Sequence, residues 1–238
     1  MKKIIFKPSK IKEKKYLSLI NKRLNHLFKL SREKLLRKKF KVIDSSLDEV
    51  ERLAQNILTQ IYDPVEVQNE IEEYFISLFS QVDKNMMRQT HTPLFSSSTE
   101  LLDLIVSNNV QLVTSLYTEN IKKLRGLVTH SIIEGTPVQN IQEEIRKMQD
   151  ISNNRAQTIA RTETAKATSQ LNRKRFKEIG VTRARWSTAH DDRVRLCHKD
   201  RDGKEYDIKK GCYSNCDKRF LQTGEDFSCR CGMLIVLK

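Results

Sequence analysis

The sequence predicts a mainly α-helical chain with a small antiparallel β region at its C-terminal end, an α+β fold. Three observations carry this. Apolar residues recur at three- and four-residue spacing through much of the first 179 positions, as at Leu17, Ile20, Leu24 and Leu27. Beyond Gly180 the pattern changes to alternation in Arg183-Ala184-Arg185-Trp186-Ser187-Thr188, and the chain closes on the apolar run Met233-Leu234-Ile235-Val236-Leu237. All five cysteines lie between Cys197 and Cys231, which sets the β region apart chemically.

Residues 1–41 read as a basic amphipathic helical arm. They hold 16 Lys+Arg and 2 Asp+Glu, which equals the whole-chain net charge of +14, while the other 197 residues balance at 28 of each sign. The predicted helix runs from about Ser9 to Phe40, with Leu17, Ile20, Leu24, Leu27 and Leu35 on its apolar stripe. Lys12, Lys15, Lys22, Lys29 and Arg37 flank that stripe and are candidates for contact with double-stranded DNA phosphates or an acidic protein surface. A solvated lysine face on an ordinary bundle helix fits the same pattern. Membrane-surface binding fits less well, because the arm lacks Trp and carries its aromatics singly. Ile4-Ile5-Phe6 is too short for a signal-peptide core and no 18-residue apolar run occurs, so neither secretion by a cleaved signal nor membrane spanning is expected.

Residues 42–84 predict a helical pair. Ser46-Leu47-Asp48-Glu49 fits a capping box ahead of a face made by Leu47, Val50, Ala54, Ile57, Leu58 and Ile61. Pro64 ends that helix and opens the next, whose face is Val67, Ile71, Phe75, Leu78 and Phe79. The polar stretch 85–98, with Thr92-Pro93 and three consecutive serines, reads as a linker or exposed loop and as the natural domain boundary. A second domain, 99–238, then begins with helices over 101–113 and 117–133, with Gly135-Thr136-Pro137 as stop, cap and first turn. Thr136 opens a short helix to Met148, Ser152 caps a longer one to Ile179, and Gly180 closes it. In the β region, 180–238, Asp202-Gly203 suggests a hairpin turn.

The cysteines leave alternatives open. An odd number cannot be fully paired within one chain, and disulfides are the weaker reading for a chain expected in a reducing compartment. A structural zinc and reduced, partly buried thiols without metal both fit. If zinc binds, the candidate ligands are Cys212, Cys216, Cys229 and Cys231, with His198 substituting for one of them. Adjacent Cys197 and His198 do not easily reach one ion. A Cys–His dyad of Cys197 or Cys229 with His190 or His198 is a chemical alternative, as is a metal-dependent nuclease or toxin-like hydrolase using His190, Asp191, Asp192, His198 and the cysteines.

One ordered set of motifs goes further. Ala156-Gln157-Thr158-Ile159-Ala160-Arg161-Thr162-Glu163-Thr164 is followed by Gly180-Val181, Trp186, Asp191-Asp192-Arg193-Val194-Arg195, His198, Asp202-Gly203 and Cys229-Arg230-Cys231. In order and spacing this set resembles the tailed-phage minor head proteins, the Mu F-like head morphogenesis family, over about residues 105–236. The resemblance implies a non-enzymatic component of the virion or procapsid, located in the capsid interior or at the portal vertex and in host cytoplasm during assembly. It implies association with the portal protein and other capsid components, as a homo-oligomer or in several copies per portal, and a role in DNA packaging or release. By the same resemblance Arg161, Thr162, Glu163, Trp186, Asp192, Arg193, His198, Gly203, Cys229, Arg230 and Cys231 are signature residues. Some relatives carry Cys-x-x-Cys where this chain has Arg195-Leu196-Cys197-His198, and Cys212 and Cys216 lie outside the shared pattern. The residues themselves suggest architectural roles. Arg161 and Glu163 are too close on a helix to face each other and so pair elsewhere, Asp192 with Arg193 and Arg195 reads as a charge-held turn, and Trp186 reads as a core anchor.

Overall fold

A computed structural model describes residues 2–37, 52, 55–57, 59–60, 63–94, 97–134, 136 and 138–237. The helix expected over 46–61, the end of the first helix at Phe40, and Gly135 and Pro137 fall largely or wholly outside these residues. The elements in order are β1 (Lys2–Phe6), α1 (Lys10–Arg37), α2 (Pro64–Thr90), α3 (Thr99–Ile133), α4 (Val138–Glu178), β2 (Arg183–Ser187), α5 (Leu196–Arg201), β3 (Glu205–Asp207), β4 (Cys212–Ser214), β5 (Arg219–Leu221) and β6 (Gly232–Leu237). This is the α+β class, with the strands after β1 confined to the C-terminal region.

The helices are longer than the capping signals suggest, because the polar residues read as breaks turn their side chains back onto their own helices. Ser115 donates to the Leu112 carbonyl at 2.8 Å and Thr118 to that of Thr114 at 2.9 Å, so α3 runs through both. Ser152 caps nothing; it donates to the Met148 carbonyl at 2.8 Å and sits 2.6 Å from Asn120 Oδ1 in the middle of α4. The stretch 85–98 is helical up to Thr90, whose hydroxyl donates to the Met86 carbonyl at 2.9 Å. The Pro64 start is as expected, with Asp63 Oδ1 accepting from the Val65 amide at 2.9 Å.

The chain forms two compact units, and they are not the domains that composition suggests. One comprises Met1–Tyr16, Glu72–Ile105 and Thr158–Lys238, the other Leu17–Ile71 and Val106–Gln157. Residues 85–98 therefore lie inside a unit rather than between two. Nor are residues 1–41 an appended arm, since Met1–Tyr16 belongs to the first unit and Leu17 onward to the second.

The second unit is helical. Ile20, Leu24, Leu27 and Phe28 of α1 are buried, as are Ile71, Val113, Leu116 and Tyr117. The expected stripe is thus a core face. Arg23, also buried, reaches Glu66 at 3.1 Å and Glu70, while Lys22 meets Glu70 at 3.2 Å. Burial works against the Glu70 carboxylate, but hydrogen bonds from Arg23 and Lys22 outweigh it and hold its pKa below the usual range. A depressed carboxylate pKa stabilises the fold above the unfolded-state pKa, and that contribution disappears as pH falls through the folded value. Denaturant midpoints measured from neutral pH downward should therefore fall less steeply with acid for Glu70→Gln than for the parent.

In the first unit a four-stranded sheet has the order β1-β6-β2-β3. Every neighbouring pair is antiparallel, with Ile4 opposite Ile235, Trp186 opposite Met233 and Ala184 opposite Tyr206. β1 carries no strong sequence signal, having three apolar residues among lysines. It nevertheless alternates as a strand must, with Ile4 and Phe6 buried and Ile5 exposed. The core joins Ile4, Phe6, Phe176, Trp186, Tyr206, Met233 and Ile235, and Phe6 meets Phe176 edge-on at 5.1 Å between ring centroids. β4 and β5 form a separate two-stranded sheet. Asp202-Gly203 leads from α5 into β3 rather than directly joining two strands, and the Gly203 amide donates to the Trp186 carbonyl at 2.9 Å. Gly224 has φ +83° and stands so close to α4 that a Cβ would meet the Ala165 carbonyl oxygen at 2.8 Å, which requires glycine on both counts.

Candidate metal centre

The β module is organised around α5, a helix of six residues too short to persist without tertiary support. His198 and Arg201 are its two buried residues. His198 Nδ1 faces two thiols of the segment entering β6, Cys229 Sγ at 3.8 Å and Cys231 Sγ at 3.4 Å. Its other nitrogen, Nε2, lies 2.9 Å from Asp226 Oδ2. Asp226 also accepts from Arg195 at 2.6 Å and from the Phe227 amide at 3.0 Å. Among the described residues, His198, Cys229 and Cys231 are the group whose ligand atoms all lie within 4.8 Å of one another.

The electrostatics follow from this packing. Hydrogen bonding from Cys231 and then from His198 lowers the Cys229 pKa despite burial, while the hydrogen bond with Cys229, then burial and the Cys229 charge, push Cys231 upward. Burial disfavours the His198 imidazolium, but Cys229 and Asp226 outweigh it and raise its pKa. Two thiols and an imidazole oriented from behind by a carboxylate are a zinc-type donor set. Bond lengths of about 2.0–2.1 Å to nitrogen and about 2.3 Å to sulfur imply N···S separations of about 3.6 Å in a tetrahedron, and the two observed separations bracket that value. The residues therefore fit such an ion, with three protein ligands available. The order carboxylate, imidazole, thiol also occurs in cysteine nucleophiles. Here His198 is 5%, Cys229 2% and Cys231 4% exposed, so the three groups are buried together.

Two candidate ligands lie elsewhere. Cys216 is bonded to Cys197, the α5–β4 connection bringing their Cα atoms to 5.2 Å. The expectation against disulfides is corrected accordingly. Cys212 is buried with its thiol directed at the Tyr213 carbonyl, and burial raises its pKa. The nuclease set is not assembled either. Asp191 is held by the Arg230 guanidinium, 2.6 Å from Oδ1, and by Arg193; His190 is 3.5 Å from Asp202; Asp192 is exposed.

Other signature residues make polar and packing contacts within the first unit. Arg161 pairs with Glu13 at 3.0 Å and Glu163 with Lys166 at 2.9 Å. The Thr162 hydroxyl accepts from the Ser228 amide at 3.0 Å, tying α4 to the Cys229 loop. Trp186 is 1% exposed and meets His198 edge-on at 5.6 Å. Sequence reasoning missed Arg201 and Asp226. Arg201, fully buried, donates to the carbonyls of Cys212, Cys197 and Arg219 at 3.0, 3.0 and 3.1 Å and to Asp217 at 2.7 Å, and lies 5.5 Å from the centroid of Trp186. Nothing in the charged run Lys199-Asp200-Arg201-Asp202 distinguishes it from a solvated residue. Of the cationic candidates on α1, Lys15 and Lys29 are exposed, Lys22 is paired with Glu70, Lys12 is buried, and the side chain of Arg37 lies outside the described residues.

Fold and site define an α+β chain whose C-terminal β module carries a buried His198–Cys229–Cys231 cluster and a Cys197–Cys216 disulfide. Residues 122–234 match the family described as Phage Mu protein F like protein. The match runs from α3 into β6 and includes the whole candidate centre. An uncharacterized protein of Haemophilus influenzae (strain ATCC 51907 / DSM 11121 / KW20 / Rd) is 27% identical over 164 residues, covering 66% of this chain and 36% of the relative. The chain thus matches about a third of that relative's length. No solved structure matches the chain.

Proposed function

We propose that this chain is a structural, non-enzymatic protein of tailed-phage head morphogenesis, associating with the portal protein and other capsid components and contacting packaged double-stranded DNA. The Mu F-like match over residues 122–234 is the observation that carries this reading. The burial of the His198–Cys229–Cys231 centre supports a non-catalytic role. On this reading the protein resides in the virion, in the capsid interior or at the portal vertex, after assembly in host cytoplasm. Co-expression with the portal protein of the same phage should yield a complex that survives size-exclusion chromatography; separate elution under assembly conditions would overturn the portal assignment.

Within this reading the centre holds one structural zinc through His198 Nδ1, Cys229 Sγ and Cys231 Sγ, clipping α5 to the start of β6. Bound zinc would supply stability rather than reaction chemistry. Metal analysis of purified protein should find about one zinc per chain. Chelation should lower the melting temperature. Cys229→Ser and Cys231→Ser should each remove the metal, whereas Cys212→Ser should retain it; metal-free native protein, or loss on Cys212→Ser, would contradict the ligand set.

A further inference from the structure

A cleft of the first unit, about 630 Å³, has no acidic residue on its wall. It lies where the β1–α1 connection meets the second half of α2. Lys7 and Lys12 line it from one side and Lys84 and Arg88 from the other, with Ser9 and Ser77 between them. Among the described residues none of these four cations has a carboxylate within ion-pair distance. The carboxylates that flank them in sequence are already engaged: Glu13 pairs with Arg161 at 3.0 Å, and Asp83 receives Arg175 through two bonds of 2.7 Å.

Lys12 is the informative member. It is only 7% exposed, and its ammonium group donates to the Ser77 hydroxyl. A buried charge without a counter-ion is unfavourable, and ordinary proteins avoid it by pairing. Burial, and then the charge of Lys15, lower its pKa in keeping with that environment. The first turn of α1 opens onto the same wall: Ser9 caps it, its hydroxyl 3.4 Å from the Lys12 amide. The free amides of a helix start add positive potential there.

We propose that this cleft is a phosphate-binding site for the backbone of double-stranded DNA. Lysines, an arginine and hydroxyls around an open cleft match phosphate oxygens, which accept several charge-assisted hydrogen bonds at once. Ammonium, guanidinium and hydroxyl groups supply the donors, and Lys12 gains the counter-charge that the protein itself does not provide. The inference rests on the DNA contact proposed above for the source of the phosphate, and it moves that contact from the exposed lysines of α1 to a defined recess.

The test uses the full chain with a 30-base-pair duplex, with inorganic phosphate, and with poly-glutamate. Lys84→Glu combined with Arg88→Glu should weaken duplex binding at least about tenfold and make its salt dependence shallower by about two phosphates. Lys29→Glu, outside the cleft, should change binding much less. Phosphate should raise the melting temperature of the parent but not of Lys12→Met, and Lys12→Met should melt no lower than the parent when phosphate is absent. Unchanged duplex affinity in the double variant would overturn the proposal. A phosphate effect without any effect of the cleft variants on DNA would overturn the nucleic-acid assignment, as would competition by poly-glutamate alone. Loss of portal association with cleft binding intact would count against the head-assembly reading and leave the cleft standing.

Discussion

Arg201→Ala is expected to destabilise the chain by about 3–5 kcal/mol, the usual cost of removing one partner from a buried, hydrogen-bonded charge pair. The side chain is fully buried and satisfies three backbone carbonyls and Asp217. Those carbonyls belong to α5, β4 and β5, so one guanidinium joins the short helix to the two-stranded sheet. Truncation leaves the Asp217 carboxylate and the carbonyls without these bonds, which costs more than the contacts themselves contribute. Arg201→Lys should recover only part of the loss, since an ammonium group cannot reproduce the planar fork. Urea unfolding of the three proteins checks this; a loss below about 1 kcal/mol for alanine would mean the polar network is replaceable.

Trp186→Ala is expected to cost a similar amount, about 3–5 kcal/mol, but by creating a cavity. The indole sits on β2, opposite Met233 of β6, and packs on His198 and Tyr206. Its removal also takes away one wall against which His198 is oriented toward Cys229 and Cys231. Because Arg201 lies over the same ring, the two substitutions share an environment, and their costs in a double variant should sum to less than additivity predicts. Retention of parental stability in Trp186→Ala would show that the sheet is not the core of the first unit.

The helical part of the fold was readable because the stripe of α1 and the Pro64 start follow local rules that tertiary packing did not overturn. The extra helix start expected at Ser152 treats serine as a cap, when its hydroxyl can equally return to a carbonyl of the same helix. β1 was invisible because a five-residue strand is defined by its partner, and β6 lies 226 residues further on. At the site, Cys229, Cys231 and His198 stood out by residue type. The Cys197–Cys216 bond did not, because a pairing depends on the path of the intervening chain. Asp226 and Arg201 had no local signal either, since an ordinary Asp or Arg becomes a site residue only through what the fold places beside it.

The central claim is that the chain belongs to an assembled phage head. Quantitative mass spectrometry of purified procapsids and virions from the genome that encodes it tests this most directly. The account predicts that the chain is present in both particles at low copy number, comparable with the portal protein. Its absence from both, in preparations that contain portal and major capsid protein, would contradict the account.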